Sequence, residues 1–141
     1  MAEPTRALPV ITDLTRPFWE AARAGTLAIQ RCGECGYYNH PPREACDRCL
    51  SGALAFELVS GKGRVWSFAV MHQGSVVGFE ERVPYLTALV ELDEQPMLLL
   101  VTNLAGPPER VRLGQRVSVV FEPFGAALAL PQFVVDEGGA E

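Results

Sequence analysis

The part of the sequence that determines the fold is residues 31–50, RCGECGYYNHPPREACDRCL. This stretch contains all four cysteines of the chain, arranged as two Cys-x-x-Cys pairs, Cys32/Cys35 and Cys46/Cys49. Two intervening residues let both sulfurs of a tight turn face one point, and Gly36 offers the left-handed backbone that such a turn needs. We expect Gly33 to adopt a left-handed backbone as well. The paired spacing predicts a four-sulfur metal site of the zinc-ribbon type.

Zinc is the metal that a closed shell of four thiolates suits best, with iron in a rubredoxin-like site as the less favoured alternative. Two disulfides would fit a secreted protein, but the N-terminus has no signal-peptide pattern. Redox catalysis by one pair would require a thioredoxin-like strand-to-helix turn, which the sequence does not suggest. A full shell leaves no position for water or substrate, so the predicted role of the metal is structural.

Length and composition agree with a small folded protein. The chain has 141 residues, 48% of them apolar, which is enough for a buried core. No apolar stretch approaches the roughly 18 residues that span a bilayer, so no membrane partner is expected. The sequence therefore predicts a soluble, cytoplasmic protein.

Charge is distributed unevenly along the chain. Residues 1–52 contain six arginines and six acidic residues, whereas residues 53–141 contain six basic and eleven acidic ones. The second part therefore carries the whole net charge of −5. Nucleic-acid binders draw much of their affinity from basic surface, so no nucleic-acid partner is expected.

A short helix is predicted before the cysteines. Residues 1–10 resemble an extended arm, Thr15 is the predicted helix cap, and Gly25 is the predicted stop. Phe18 and Trp19 lie in the first turns of this helix. They either pack the helix onto the protein or contact a partner, and we retain them as candidate partner-binding residues.

After the cysteine stretch, apolar residues recur at every second position, which is the period of a β-strand. Predicted strands cover residues 26–31, 54–58, 64–72, 85–92, 97–102, 116–122 and 130–135. On the strand at 64–72, simple alternation places Val65 and Phe68 on opposite faces. Five or six strands with glycine turns and little helix favour a small OB-fold β-barrel. The fold class is mainly β, divided into an arm and helix (1–25), a zinc ribbon (26–53) and a barrel (54–141).

No catalytic constellation is evident in the sequence. His72 follows a predicted strand and His40 lies between the cysteine pairs, but isolated histidines of this kind are usually ordinary surface or loop residues. Lys62, Arg64 and Arg82 are scattered cations with no phosphate-binding motif around them. The predicted catalytic set is therefore empty.

The layout as a whole resembles an acyl-CoA-associated family, in which a helix and a rubredoxin-like zinc ribbon precede an OB-fold and which was first catalogued as a domain of unknown function, family thirty-five. The resemblance is carried by RPFWEAA at residues 16–22, by QRC at 30–32, by PPR at 41–43, by the four cysteines and by the GKG at 61–63. It covers nearly the whole chain and is most specific over residues 16–49.

Members of that family act as non-catalytic partners of thiolase-fold enzymes. The resemblance implies an accessory subunit that docks on a thiolase, an acyltransferase or a steroid side-chain aldolase and helps to hold acyl-CoA. The alternative is a nucleic-acid-binding zinc-ribbon/OB module, in which Trp66 and Phe68 would stack bases. A third possibility is a redox carrier or an acyl-transfer enzyme in its own right.

Overall fold

A computed structural model describes residues 9–72, 84–124 and 128–136. Strands dominate it, as predicted. In chain order the elements are α1 (Arg16–Arg23), β1 (Leu27–Cys32), β2 (Tyr38–Asn39), β3 (Leu54–Val59), β4 (Lys62–Met71), β5 (Tyr85–Leu92), β6 (Leu99–Ala105), a short 3-10 turn (Pro108–Arg110), β7 (Arg116–Pro123) and β8 (Ala129–Val135). Among these elements no helix has the length and apolar character needed to cross a bilayer.

The start of α1 differs from the prediction. Thr15 makes no side-chain capping bond to α1. Instead, the Thr15 N–H donates to Thr12 Oγ1 (3.2 Å), and the Thr12 N–H donates to Thr15 Oγ1 (3.0 Å). Thr15 therefore occupies the predicted N-cap position directly before Arg16, but its side chain bonds back to Thr12 in the preceding turn and does not cap the helix. The predicted stop at Gly25 is confirmed, because Gly25 has a left-handed φ of 84°.

A three-stranded antiparallel sheet, in the order β2-β1-β3, surrounds the cysteines. β3 pairs with β1 over its full length, from Leu27↔Val59 to Cys32↔Leu54. The domain boundary predicted after residue 53 thus falls just before a strand of the ribbon sheet, and the division into 1–25, 26–53 and 54–141 stays a prediction. The two-residue strand β2 was not predicted from the sequence.

The remaining five strands form a closed barrel in the order β4-β5-β6-β8-β7, with β7 returning to β4. All neighbours are antiparallel except β6 and β8, which are parallel. This is the five-stranded Greek-key arrangement of an OB-fold, so the predicted fold class is confirmed.

A β-bulge at Trp66 changes the predicted faces of β4. Val65 pairs with Val90 and Ser67 pairs with Leu89, which leaves Trp66 as the extra residue. Val65 is therefore buried and Phe68 also packs against the core, whereas strict alternation had placed them on opposite faces. The bulge leaves the Trp66 side chain 42% exposed.

One hydrophobic core joins the ribbon to the barrel. Val90, Val117 and Phe133 from the barrel belong to the same buried cluster as Leu27 and Ile29 from β1. Because β1 belongs to the ribbon sheet and to this shared core, the cysteine site is held at a fixed place beside the barrel.

Candidate metal centre

The four cysteine sulfurs converge on one point. The Sγ atoms of Cys32 and Cys49 lie 3.6 Å apart and those of Cys35 and Cys46 lie 3.7 Å apart, and all four lie within 4.8 Å of one another. A tetrahedral ion with metal–sulfur bonds of about 2.3 Å requires sulfur–sulfur distances of about 3.8 Å. The arrangement therefore fits a single tetrahedral metal ion, and all four predicted ligands are brought together.

The first cysteine pair lies at the end of β1. The N–H groups of Glu34 and Cys35 donate to Cys32 Sγ at 3.3 and 3.4 Å. The turn closes when the Gly36 N–H donates to the Cys32 carbonyl (2.9 Å), with Gly36 at a φ of 80°. Left-handed backbone is thus used at Gly36, as predicted, but not at Gly33. A Cβ on Gly33 would lie 3.2 Å from the Ala53 carbonyl oxygen, so this glycine is favoured by close approach to backbone.

The second cysteine pair repeats the same turn without a strand before it. The Arg48 N–H donates to Cys46 Sγ (3.4 Å), and the Leu50 N–H donates to the Cys46 carbonyl (2.9 Å). Leu50 therefore occupies the place that Gly36 has in the first turn. It adopts a left-handed φ of 68° although it carries a side chain that is 78% exposed. Such backbone costs a non-glycine residue about 1–2 kcal/mol.

The cysteine thiols differ in the surroundings that set their pKa values. The Cys35 N–H is the main cause that lowers the pKa of Cys32. Burial is the largest influence on Cys46 and raises its pKa, but donors led by the Cys49 N–H outweigh it and bring that pKa down to about 6. For Cys49 the largest influence, the Ser51 N–H, lowers the pKa, yet burial and the neighbouring sulfurs together raise it to about 12. A cation bound at the centre would stabilise all four thiolates and release the remaining protons.

The sulfur site is half closed to solvent. Cys32 and Cys46 are buried, while Cys35 and Cys49 are exposed. With four sulfur ligands a tetrahedral ion has no open position, so the geometry suits a structural ion and not one that activates water.

A buried amide fixes the loop between the cysteine pairs. Gln30, on β1, donates through Nε2 to the Arg43 carbonyl and accepts from the Arg43 N–H through Oε1, both at 2.8 Å. In the same loop, the Asp47 N–H donates to Asn39 Oδ1 (3.0 Å). In the sequence, Gln30 and Arg43 had appeared only as members of the motifs that carry the family resemblance, with no structural role assigned to them. A glutamine directly after three apolar residues of a predicted strand was a local signal for Gln30.

A second amide connects the ribbon to the barrel. Gln95, in the turn between β5 and β6, accepts from the Tyr38 N–H (2.8 Å) and donates to the Tyr38 carbonyl (3.0 Å). Beside it, Glu94 Oε2 accepts from the Ser60 N–H at 2.8 Å. The barrel turn thereby extends the edge of β2, and sequence reasoning missed this connection because it spans 57 positions.

Phe18 and Trp19 lie where α1 meets the core. Phe18 is 8% exposed and its ring lies 4.9 Å from that of Trp19, edge to face, and 5.5 Å from the ring of His40. Burial lowers the pKa of His40 to about 4, so this histidine is neutral near pH 7. These contacts agree with the packing interpretation of both aromatics. Their role in binding a partner stays a prediction.

The other candidate residues do not form a site. Lys62 Nζ donates to Ser118 (3.3 Å), Arg64 pairs with Glu91 (2.8 Å), and Arg82 lies outside the described residues. His72 is exposed at the end of its strand. Over residues 9–72, 84–124 and 128–136, the four cysteines are the only cluster of potential metal ligands.

Comparison with known protein families identifies both parts of this architecture. A family model described as ChsH2, rubredoxin-like zinc ribbon domain, matches residues 19–55. A second, described as ChsH2, C-terminal OB-fold domain, matches residues 57–122.

Several relatives are similar to this chain in sequence. A DUF35 domain-containing scaffold protein of Methanothermobacter thermautotrophicus is 30% identical over 115 residues, which cover 79% of this chain and 84% of the relative. A probable enoyl-CoA hydratase alpha subunit of Thermomonospora curvata is 39% identical over 120 residues, which cover 82% of this chain. Those residues make up only 36% of that subunit, so the chain spans about a third of its length.

A solved structure agrees with these matches. A chain of the Ltp2-ChsH2(DUF35) aldolase superimposes with a TM-score of 0.81 at 36% identity, covering 91% of this chain and 98% of that one. The fold and the sulfur site together define a rubredoxin-like ribbon joined to an OB-fold barrel. The chain belongs to the DUF35 family, the ChsH2-like proteins that combine these two parts, and the resemblance found in the sequence is confirmed.

Proposed function

We propose that the protein is a non-catalytic accessory subunit of a thiolase-fold enzyme that acts on acyl-CoA, and that its ribbon holds a structural zinc ion. The observation that carries this proposal is the closed shell of four sulfurs on a chain that matches 98% of a chain in the Ltp2-ChsH2(DUF35) aldolase. The chain supplies a metal-stabilised scaffold, and the partner supplies the reactive groups.

The zinc assignment is supported by the donor set. Cys32, Cys35, Cys46 and Cys49 offer four soft sulfur ligands at tetrahedral spacing, which is the usual structural zinc site. Zinc bound there would neutralise thiolate charge and join the two cysteine turns. Metal analysis of the purified protein should find one zinc per chain. A red protein with one iron per chain would contradict the assignment.

The accessory role is supported by the names of the relatives. Two relatives are named as alpha subunits of hydratases, and three others are named as scaffold proteins. The second hydratase subunit, from Mycobacterium tuberculosis, acts on 3-oxo-4,17-pregnadiene-20-carboxyl-CoA according to its name. Such names favour a partner that works on acyl-CoA in lipid or steroid metabolism. A reduced compartment such as the cytoplasm suits the thiolates.

Phe18 and Trp19 remain candidate partner-binding residues, because the Trp19 side chain on α1 is only half-buried. Acyl-CoA would lie at a site shared with the partner.

The test is capture of the tagged protein from a native lysate, followed by mass spectrometry and by activity assays of any stoichiometric partner. We expect a thiolase-fold enzyme whose acyl-CoA activity or solubility falls when this chain is withheld. A partner that is fully active and soluble alone would overturn the accessory role. Recovery of nucleic acid that is lost at high salt would instead favour the binding-module alternative.

A further inference from the structure

The Arg31 side chain joins the three strands of the ribbon sheet. Arg31 on β1 pairs with Tyr38 of β2 on one side and with Ala55 of β3 on the other. Its guanidinium carbon lies 4.7 Å from the centre of the Tyr38 ring, and its Nη1 donates to Glu57 Oε1 of β3 at 3.1 Å. The guanidinium group is therefore held from both neighbouring strands, directly before the first cysteine.

The same side chain also holds the first cysteine turn. Arg31 Nε donates to the Gly36 carbonyl oxygen at 2.9 Å, while the Gly36 N–H donates to the Cys32 carbonyl oxygen at 2.9 Å. Both backbone groups of Gly36 are thus bonded. Because Cys35 is joined directly to Gly36, these bonds restrict the directions in which the Cys35 sulfur can point.

The second cysteine turn has no such side chain before it. The two turns can be aligned on their cysteines, which makes Leu50 equivalent to Gly36. The same alignment makes Ala45 equivalent to Arg31. A methyl group donates no hydrogen bond, so only the first turn is held by the side chain of the residue that precedes it. An arginine at this place is therefore a particular feature of the first turn and not a general requirement of a Cys-x-x-Cys pair.

The three contacts of Arg31 use three different parts of its guanidinium group. Nε bonds to the turn, Nη1 bonds to the carboxylate, and the planar face lies over the ring. Lysine has a single nitrogen and no planar group, so it cannot make all three contacts. The ion pair with Glu57 is exposed, with the two side chains 40% and 51% accessible, and such a pair contributes little stability alone. Its main effect is to orient the guanidinium group toward Gly36.

We propose that Arg31 is a positioning residue of the metal centre, which holds the first cysteine turn in the geometry that a tetrahedral ion requires and thereby raises metal affinity. This inference rests on the proposed function, since it takes the four sulfurs to hold a metal ion. Groups that orient metal ligands from outside the ligand shell contribute about 10–100-fold to metal affinity. Arg31 does so through the Gly36 carbonyl, one residue beyond the ligand Cys35.

The first test compares Arg31→Lys with Glu57→Gln in the full-length protein. Arg31→Lys keeps the positive charge and loses the Nε bond, whereas Glu57→Gln removes the ion pair and leaves Arg31 able to bond to Gly36. Zinc affinity, measured by competition with a chromogenic chelator, should fall at least about tenfold for Arg31→Lys. It should change much less for Glu57→Gln. Unchanged affinity of Arg31→Lys, or an equal loss in both variants, would overturn the proposal.

Cobalt(II) in place of zinc gives a readout that overall stability does not change. The visible absorption bands of cobalt(II) depend on the geometry of its ligands. We expect these bands to differ between cobalt-loaded Arg31→Lys and the cobalt-loaded wild type, and to be the same in Glu57→Gln. Identical bands in all three proteins would overturn the positioning role. A wild type that binds neither metal would remove both this inference and the proposed zinc ion, whereas unaffected binding by Arg31→Lys would remove this inference alone.

NMR of the wild type tests the same bond without any variant. If the bond from Arg31 to Gly36 raises metal affinity, the metal must strengthen that bond to the same extent, because coupling between two equilibria is reciprocal. The Arg31 Nε–H should therefore exchange slowly with solvent in the zinc-bound protein and faster after a chelator removes the zinc. Equal exchange rates of this proton in the two states would overturn the proposal.

Discussion

The ribbon and the barrel bury different chemistry. In the barrel, the most deeply buried side chains are apolar, such as Phe133, Val90 and Val117. Around the ribbon, buried positions include the sulfur of Cys46 and the amide of Asn39, which are held by directional bonds. A barrel core is stabilised by the volume it fills, whereas the ribbon depends on ligand geometry. The two parts should therefore respond to different perturbations, although β1 belongs to both.

The largest effect should follow loss of a metal ligand. Cys46→Ser should abolish stoichiometric metal binding and with it roughly 10 kcal/mol of apparent metal-binding energy. We expect residues 33–53 to lose exchange protection while β5 and β7 retain theirs. Metal analysis and peptide-level hydrogen exchange would check this, with Glu44→Gln, an exposed change in the same loop, as the control. Simultaneous unfolding of the barrel would contradict the distinction between the parts.

The converse perturbation removes volume from the barrel. Phe133→Ala should lower the free energy of unfolding by about 3–5 kcal/mol, because Phe133 is fully buried and its loss leaves a cavity. Urea unfolding would measure the change. Val120→Ala, on the outer surface of the neighbouring strand, should cost far less. Release of the metal by Phe133→Ala from an otherwise folded protein would show that the ribbon depends more on the shared core than on its cysteine ligands.

Acid should lower the stability of the protein through His40, which lies where α1 meets the ribbon. The buried His40 has a folded pKa of about 4, below the ordinary value of 6.5. The unfolded chain therefore takes up this proton first, and the stability contributed by neutral His40 is complete above pH 6.5 and declines toward pH 4. At pH 5 the loss is roughly 2 kcal/mol relative to neutral pH.

Urea unfolding of the wild type and of His40→Gln at pH 7 and pH 5 would isolate this effect. Protonation of the cysteines affects both proteins, so the difference between them reports on His40. The same pH dependence in both would show that the thiolates alone account for acid sensitivity.

The smallest expected change in stability comes from substitutions at equivalent places in the two cysteine turns. Leu50→Gly should stabilise the protein by about 0.5–1 kcal/mol, because relief of left-handed strain slightly exceeds the entropy cost of glycine. Gly36→Ala at the equivalent place should destabilise it by about 1–2 kcal/mol, since space is available there and only the backbone conformation is unfavourable. Thermal unfolding of the metal-bound proteins would measure both. A destabilising Leu50→Gly would mean that the leucine side chain has a contact that offsets its strain.

The sequence predicted the parts of this molecule that short-range patterns specify. The spacing of Cys32, Cys35, Cys46 and Cys49 was sufficient to predict the sulfur cluster, and period-two alternation was sufficient for the barrel strands. The β-bulge at Trp66 was missed because one extra residue inverts the alternation without changing the composition.

Long-range connections were beyond sequence reasoning for a different reason. Gln95 and Tyr38 are joined by two bonds across 57 positions, and neither residue is unusual in its local sequence. The N-cap position of Thr15 was predicted correctly, but not that its side chain bonds back to Thr12, which offers the same hydroxyl and N–H groups three residues earlier. In both cases several residues could supply the bond, and the folded structure selects among them.

The bond pair between Gln95 and Tyr38 also limits how members of this family can be recombined. The turn that carries Gln95 belongs to the barrel by sequence, yet its side chain completes the edge of the ribbon sheet. A chimaera that joins the ribbon of one relative to the barrel of another would therefore have to inherit residues 93–97 together with the ribbon. Insertions in that turn should be tolerated poorly, although most hairpin turns accept them readily.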